Sequence, residues 1–185
     1  MKAIILSSAL LVSAGVATAG AQTPSVSIHA AGGPTLVDTG HNLSAGISFS
    51  PLSRVTLTVD AERTHLNSRI SESQDPGGHR VTSSFRGGTM NAVTGSVRVS
   101  LFPEGRLTPY LLAGMGRGVS KPNVNEQFPT PVTNDAVFGF AGAGLSIPTG
   151  RHLSLFADAR LMVGGEGNGG TLVIAPLRAG VNWRF

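Results

Sequence analysis

From about residue 25 onwards, apolar and polar residues alternate with a period of two, and no stretch repeats its apolar residues at helical spacing. Val, Leu, Ile and Thr carry the alternation, while Pro, Gly, Asn and Asp bound it, which is the pattern of β-strands. Each run is at least as long as the ~9–11 residues that cross a bilayer as a tilted strand. The pattern predicts eight strands, at residues 25–35, 42–50, 55–67, 90–102, 107–119, 136–147, 153–165 and 171–185.

The connections between these runs alternate in length. Every second one is a tight turn that begins with Pro and contains an Arg, at 51–54, 103–106 and 148–152. Proline cannot donate to a strand ladder and therefore ends a strand. The other connections vary, and two of them, 69–89 and 121–135, are long and polar. Short turns at one end and longer loops at the other are typical of outer-membrane barrels.

The direction in which each strand faces follows from the cost of a charge in lipid. In residues 153–165 one face is Leu, Ala and Val, and the other contains Asp158 and Arg160. An Arg that faces lipid at mid-depth costs about 2–4 kcal/mol, so the apolar face must point outward. The same rule places charges inside the barrel on three further strands. The predicted lumen charges are Asp60, Glu62, Arg98, Asp158, Arg160, Arg178 and Arg184.

These lumen charges have two interpretations. Buried charges must be matched, and an eight-stranded barrel is just wide enough for side chains to fill it, which favours a paired polar plug. Alternatively they line a narrow pore, in which four Arg against three acids would mildly favour anions. The sixth predicted strand is less regular, because its parity puts Phe138 and Phe140 inside and so implies a bulge or a partly apolar lumen. Arg117 falls on the outer face of the fifth, where a cation at the headgroup boundary can extend towards water.

The N-terminus has the features of a secretory signal. Lys2 precedes a mostly apolar stretch, and small residues follow up to Ala21. This pattern predicts a cleaved signal peptide at 1–21 and a barrel domain at 22–185. We therefore expect an all-β protein: a closed, up-and-down, antiparallel transmembrane barrel of eight strands in the bacterial outer membrane.

Composition agrees with this prediction. Charged residues make up 13% of the 185 residues, about half of the ~25% usual in soluble domains. The formal net charge of +4 comes from scattered cations, without the basic run that a nucleic-acid binder would show. There is no Cys, which excludes disulfides, thiolate metal sites and a catalytic Cys.

Three local features resemble the small eight-stranded outer-membrane barrels of the OmpA/OmpX type. They are the C-terminal strand, residues 108–116, and residues 142–146 with the turn and strand that follow. The resemblance implies that Gly180, Trp183 and Phe185 form the assembly signal read by the barrel-assembly machinery. It also implies contact with the lipid bilayer and lipopolysaccharide, and leads us to expect a barrel without a further domain.

No other motif indicates chemistry. The glycines at 114–118 and 139–144 lack the strand-then-helix context of a nucleotide loop, and the five His are not spaced as metal ligands. We therefore predict no cofactor, no metal and no enzymatic activity. His152, Ser154 and Glu166 resemble the spacing of the lipid A deacylases among such barrels, but Glu166 is predicted at the rim opposite His152.

The function that these observations favour is a structural or surface-interaction role, in which the barrel exposes the loops 69–89 and 121–135. The alternative is a narrow, porin-like channel for small solutes. A lipid-modifying enzyme and a soluble, lipocalin-like binder are weaker alternatives, and the latter predicts an apolar interior with a polar exterior.

Overall fold

The computed structural model describes residues 24–36, 39–74, 80–85, 87–103, 105–124, 129–166 and 171–185. The predicted signal peptide, 1–21, lies outside the described residues. No helix in the described part of the chain is long and apolar enough to span a bilayer.

In the described ranges eleven strands follow one another in chain order, and nine of them form one sheet that closes on itself. Around the barrel the order is β10–β9–β11–β1–β2–β3–β6–β7–β8, and β8 pairs with β9 to close the ring. All pairings are antiparallel, so every backbone ladder is satisfied within the wall. The strands are β1 Ser25–Thr35, β2 Gly40–Leu52, β3 Val55–Leu66, β4 Arg69–Gln74, β5 Arg80–Phe85, β6 Gly88–Ser100, β7 Thr108–Pro122, β8 Asn134–Pro148, β9 Leu153–Glu166, β10 Thr171–Ile174 and β11 Leu177–Arg184.

The eighth predicted strand is interrupted near its middle. β10 and β11 both pair with β9, and together they occupy one position in the ring. The break falls at Ala175 and Pro176, where Pro176 has no N–H to donate to the ladder. Its carbonyl still accepts from the N–H of Arg160 (3.0 Å), and the carbonyl of Ala175 accepts from Leu36 (2.8 Å). The wall therefore stays closed across the break, and the predicted eight-stranded barrel is confirmed.

Residues 69–89, predicted as a loop, contain a β-hairpin. β4 and β5 form a two-stranded sheet of their own, with Arg69 opposite Phe85 and Gln74 opposite Arg80. The sequence lacks a clear apolar face here, and the prediction of strands depends on such a face. Backbone pairing satisfies the N–H and C=O groups of the segment without such a face, which explains why the pattern missed it.

The exterior of the barrel is apolar and its interior is polar at mid-depth. Val59 and Met115 are 60% and 73% exposed, whereas Asp60, Glu62 and Asp158 are buried. This is the reverse of the polarity expected for a soluble, lipocalin-like binder. Large apolar side chains left outside on every side of a closed wall are those of a membrane-spanning barrel. The outer face of β9 shows the rule, with its exposed residues at Leu153, Leu155, Ala157, Ala159, Leu161 and Val163.

The tight turns and the C-terminus lie at one end of the barrel. The N–H of Phe185 donates to the carbonyl of Val26 (3.0 Å), so the last residue pairs with the start of β1. Phe49, Phe102, Trp183 and Phe185 are exposed near this end, as expected for an aromatic girdle at a membrane interface.

Phe138 and Phe140 face the lumen, and β8 has no bulge. The register of β8 with both neighbours is continuous, and both rings are buried. A Cβ at Gly114 would lie 2.6 Å from Cζ of Phe140, and one at Gly116 would lie 2.6 Å from Cζ of Phe138. The glycines of β7 are therefore needed because the Phe rings of β8 lie against them. The sequence implied either a bulge in this strand or a partly apolar lumen, and the structure has the partly apolar lumen.

Candidate functional site

Five of the seven predicted lumen charges meet in one buried network. Asp60 and Glu62 project from β3, Asp158 and Arg160 from β9, and Arg178 from β11. In the ring, β3 and β9 are separated by three positions on either side. They are opposite walls, so contacts between these two strands cross the lumen.

Among the described residues Arg178 makes the most hydrogen bonds in the network, and it is only 1% exposed. Its Nε and Nη2 donate to the two carboxylate oxygens of Asp158, each at 2.9 Å. Its Nη1 donates to Glu62 Oε1 (3.2 Å) on the opposite wall and to Ser44 Oγ (3.0 Å). The fork-shaped contact with Asp158 fixes both the position and the plane of the guanidinium.

Arg160 joins the same acids from β9. Its Nη1 donates to Glu62 Oε1 (2.8 Å), while Nη2 lies 3.6 Å from Asp60 Oδ2 and Nε lies 3.3 Å from Asp158 Oδ1. Its guanidinium carbon is also 5.0 Å from the ring centre of Phe140, a cation–π distance. All three carboxylates therefore lie against guanidinium groups.

Besides Ser44, sequence reasoning missed three further described members of the network, which are His29, Ser48 and Tyr110. His29 Nε2 contacts Asp60 Oδ1, and Ser48 Oγ lies 3.2 Å from His29 Nδ1. Tyr110 donates its hydroxyl proton to Asp158 Oδ2 (3.1 Å). The period-two rule does place His29, Ser48 and Tyr110 on the inner face. Their partners lie on other strands, and only the register between strands shows which groups meet.

Arg98 and Arg184 lie outside the network, at the turn end of the lumen. Arg98 lies over the rings of Tyr110 and Phe156, with its guanidinium carbon 4.2 and 5.4 Å from their centres. Both arginines line a polar cavity of about 220 Å³, together with Ser and Thr residues of several strands. This vestibule reaches inward as far as Tyr110, where the network begins.

An apolar layer lies beyond the network, towards the opposite end of the barrel. On the inner face of β9 the order from the turn is Phe156, Asp158, Arg160 and Met162. Met162 belongs to a buried apolar cluster that follows the charges along the lumen. The other members of that cluster are Leu66, Met90, Ala92, Tyr110, Leu112, Ala136, Phe138, Phe140, Leu172 and Ile174. Of these, Tyr110 and Leu112 share ladder rows with Asp158 and Arg160 and so lie level with the charges rather than beyond them.

In the described part of the chain, the other candidate catalytic and metal-binding residues do not come together in one site. The Nδ1–H of His152 donates to the carbonyl of Arg184 (2.9 Å), and the ring stacks on the outward Trp183 at 5.8 Å. Ser154 faces the lumen near the amide of Asn182 (3.4 Å). His152 and Ser154 thus lie on opposite sides of the wall, and the side chain of Glu166 is outside the described residues. No three His, Asp or Glu side chains in the described ranges are grouped as metal ligands.

Of the residues predicted as the assembly signal, Gly180 and Trp183 lie on β11, and Phe185 directly follows its last residue. Trp183 and Phe185 face outward, while Gly180 lies on the inner face. A Cβ at Gly180 would lie 2.7 Å from Cζ of Phe156, so this position has no room for a side chain. Their placement follows from the alternation of β11.

The fold and its filled lumen define a small transmembrane β-barrel. No protein-family model matches the sequence, and no curated protein matches it. Several solved structures, in contrast, are similar to this chain. The N-terminal β-barrel domain of Pseudomonas aeruginosa OprF is similar with 17% identity and a TM-score of 0.60, over 87% of this chain and 97% of that one.

Two further structures are similar along nearly their whole length. Neisserial surface protein A gives a TM-score of 0.63 at 14% identity, over 88% of this chain and 97% of that one. A major outer membrane protein from Thermus thermophilus gives 0.58 at 13% identity, over 89% and 100%. At these identities the likeness concerns the fold, which is the eight-stranded barrel of outer-membrane proteins.

We expect Arg178→Met to destabilise the barrel strongly. The substitution leaves the carboxylate of Asp158 buried without its main partner, and breaking a buried pair on one side costs about 3–5 kcal/mol. The denaturant midpoint of unfolding in detergent micelles measures this. Arg54→Met, in an exposed turn, is the matched control and should leave the midpoint unchanged. Arg178→Met with Asp158→Asn should recover part of the loss. An unaltered midpoint for the single variant would contradict a structural role for the network.

Proposed function

We propose that the protein is an integral outer-membrane barrel with a structural role, and that it anchors a surface-exposed hairpin. The observation that supports this proposal is the filled lumen. Arg160 and Arg178 join β9 and β11 to Glu62 of β3 on the opposite wall, and the apolar layer follows. A lumen occupied in two successive layers serves rigidity rather than transport. The proposal involves no catalytic step.

The orientation follows the rule for this class of barrel, in which short turns face the periplasm and long loops face outward. The hairpin β4–β5 arises from the end opposite the tight turns, between β3 and β6. On this basis the hairpin and the described residues between β7 and β8 lie at the cell surface, where they would make any contact with partners.

Assembly is the second part of the proposal. The exposed Trp183 and Phe185, with Gly180 on the same strand, would be recognised by the barrel-assembly machinery before the sheet closes. Phe185 is 69% exposed, so its ring contributes little packing to the finished barrel. A recognition role fits a large apolar side chain that the final structure barely uses.

A narrow channel is the alternative, and conductance distinguishes the two functions. We expect the folded protein in planar bilayers to show no discrete current steps, because the charged layer and the apolar layer both obstruct the lumen. A boiled-versus-unboiled gel shift on the same sample verifies that the barrel is folded. Reproducible steps from a sample that passes this control would replace the structural proposal with the pore.

Surface display of the hairpin is tested by epitope accessibility. An epitope inserted in the connection between β4 and β5 should bind antibody on intact cells. The same epitope at Gly150, in the exposed turn between β8 and β9, should be detected only after the outer membrane is permeabilised. The opposite labelling pattern would show that the barrel has the inverse orientation.

The assembly role predicts that Phe185→Ala lowers the amount of barrel in the outer membrane. Phe102→Ala is the matched control, because Phe102 is 68% exposed at the same end of the barrel. Both variants should refold alike from urea into detergent, since neither ring is buried. Equal outer-membrane levels of the two variants in cells would argue against recognition through Phe185.

A further inference from the structure

Two arginines and one asparagine face outward on three neighbouring strands, away from the tight turns. Arg63 of β3 is directly opposite Asn91 of β6, and Arg117 of β7 is opposite Val93, two residues further along β6. Directly opposed side chains have Cβ atoms about 5 Å apart, and diagonal neighbours are about 7–8 Å apart. Arg63, Asn91 and Arg117 can therefore reach one common group. Lys121, opposite Thr89, extends this basic patch towards the rim.

The basic patch lies at the upper edge of the apolar belt. Arg63 is the ninth residue of β3 and Arg117 the tenth of β7. At about 3.3 Å per residue and a tilt near 40°, both lie roughly 20 Å above the start of their strands. The apolar band of such barrels is about 25 Å tall. The patch is thus at the level of the headgroups of the outer leaflet.

The charges of the patch are incompletely compensated by the protein. Arg117 Nη2 lies 3.2 Å from Asp135 Oδ2, with both side chains largely exposed, and such a pair contributes at most about 1 kcal/mol. A guanidinium has five donors, so Arg117 keeps donors for a second anion. Within the described part of the chain, the side chain of Arg63 has no hydrogen-bond or ion-pair partner. The patch carries a net positive charge beside lipid.

A groove runs from the patch down the outer wall. Its volume is about 1060 Å³. Ala30, Ala45 and Ala61 are direct cross-strand neighbours on β1, β2 and β3 and form its floor, and the same row continues to Val93 and Arg117. Leu43 also lines it. The three alanines leave a depression in the outer wall, and the row to which they belong leads to Arg117.

We propose that this groove and patch bind a phosphorylated, acylated lipid of the outer leaflet, of the lipid A type. The phosphate would accept from Arg63, Asn91 and Arg117, because guanidinium groups match phosphate oxygens in a fork geometry. An acyl chain would lie over the three alanines. This inference rests on the proposed outer-membrane location, and it assigns a lipid partner to a defined face of the barrel.

The test is lipid binding by the folded protein, extracted in non-ionic detergent and observed by native mass spectrometry. Diphosphorylated lipid A is the probe, and its dephosphorylated form is the comparison. We expect the phosphorylated lipid to bind and to dissociate as salt is raised, since part of the attraction is between exposed charges. The dephosphorylated form should bind roughly tenfold more weakly or not at all.

Two sets of substitutions locate the site. Arg63→Gln, Arg117→Gln and Lys121→Gln together should weaken binding by about tenfold or more. The matched control is Arg54→Gln, Arg106→Gln and Arg151→Gln, which removes the same number of exposed charges at the tight turns and should leave binding unchanged. Ala45→Phe with Ala61→Phe fills the groove while keeping every charge, and should also weaken binding.

The outcomes separate this inference from the proposed function. A boiled-versus-unboiled gel shift and membrane fractionation report whether each variant is a folded outer-membrane barrel, independently of lipid binding. Folded variants with unchanged affinity, or equal losses in the patch and control triples, would overturn the lipid site and leave the barrel assignment intact. Equal binding of the two lipid A forms would overturn phosphate recognition in the same way.

Discussion

The interior of an eight-stranded barrel is only as wide as the side chains that meet across it, so each charge placed inside must find its counter-charge on another strand. Arg178 illustrates this constraint. Its guanidinium contacts Asp158 on the neighbouring strand and Glu62 on the opposite wall. The network therefore links strands far apart in sequence, and it makes the register of the whole sheet a condition for burying any one of the charges.

The same narrowness explains the apolar part of the lumen. Phe138 and Phe140 fill space that no polar pair occupies, and Gly114 and Gly116 on the next strand provide the room for them. The barrel is polar in the middle of its lumen and apolar towards the loop end. Its outer wall is differentiated as well, because a row of alanines on β1, β2 and β3 leads to arginines on β3 and β7.

Some features were predictable because they depend on a single strand at a time. Period-two alternation identifies Asp158 and Arg160 as inward and Leu155 and Leu161 as outward without knowledge of any neighbour. The hairpin β4–β5 was missed, since its pairing depends on backbone groups rather than on an apolar face. The role of His29 was also missed. Its inward position is visible in the alternation, but its contact with Asp60 depends on where β1 and β3 lie in the closed sheet.

The sequence by itself thus determined the class of the protein, the number of barrel strands and, on the regular strands, the side of the wall on which a residue lies. Alternation along a strand is a local property, and the cost of a charge in lipid is large. The tertiary structure alone decided which charges pair, that Phe138 and Phe140 enter the lumen without a bulge, and that Arg63, Asn91 and Arg117 meet on one outer face. The physical reason is register. Neighbours across a sheet are set by the alignment of whole strands, and a shift of one residue would exchange every inward and outward side chain.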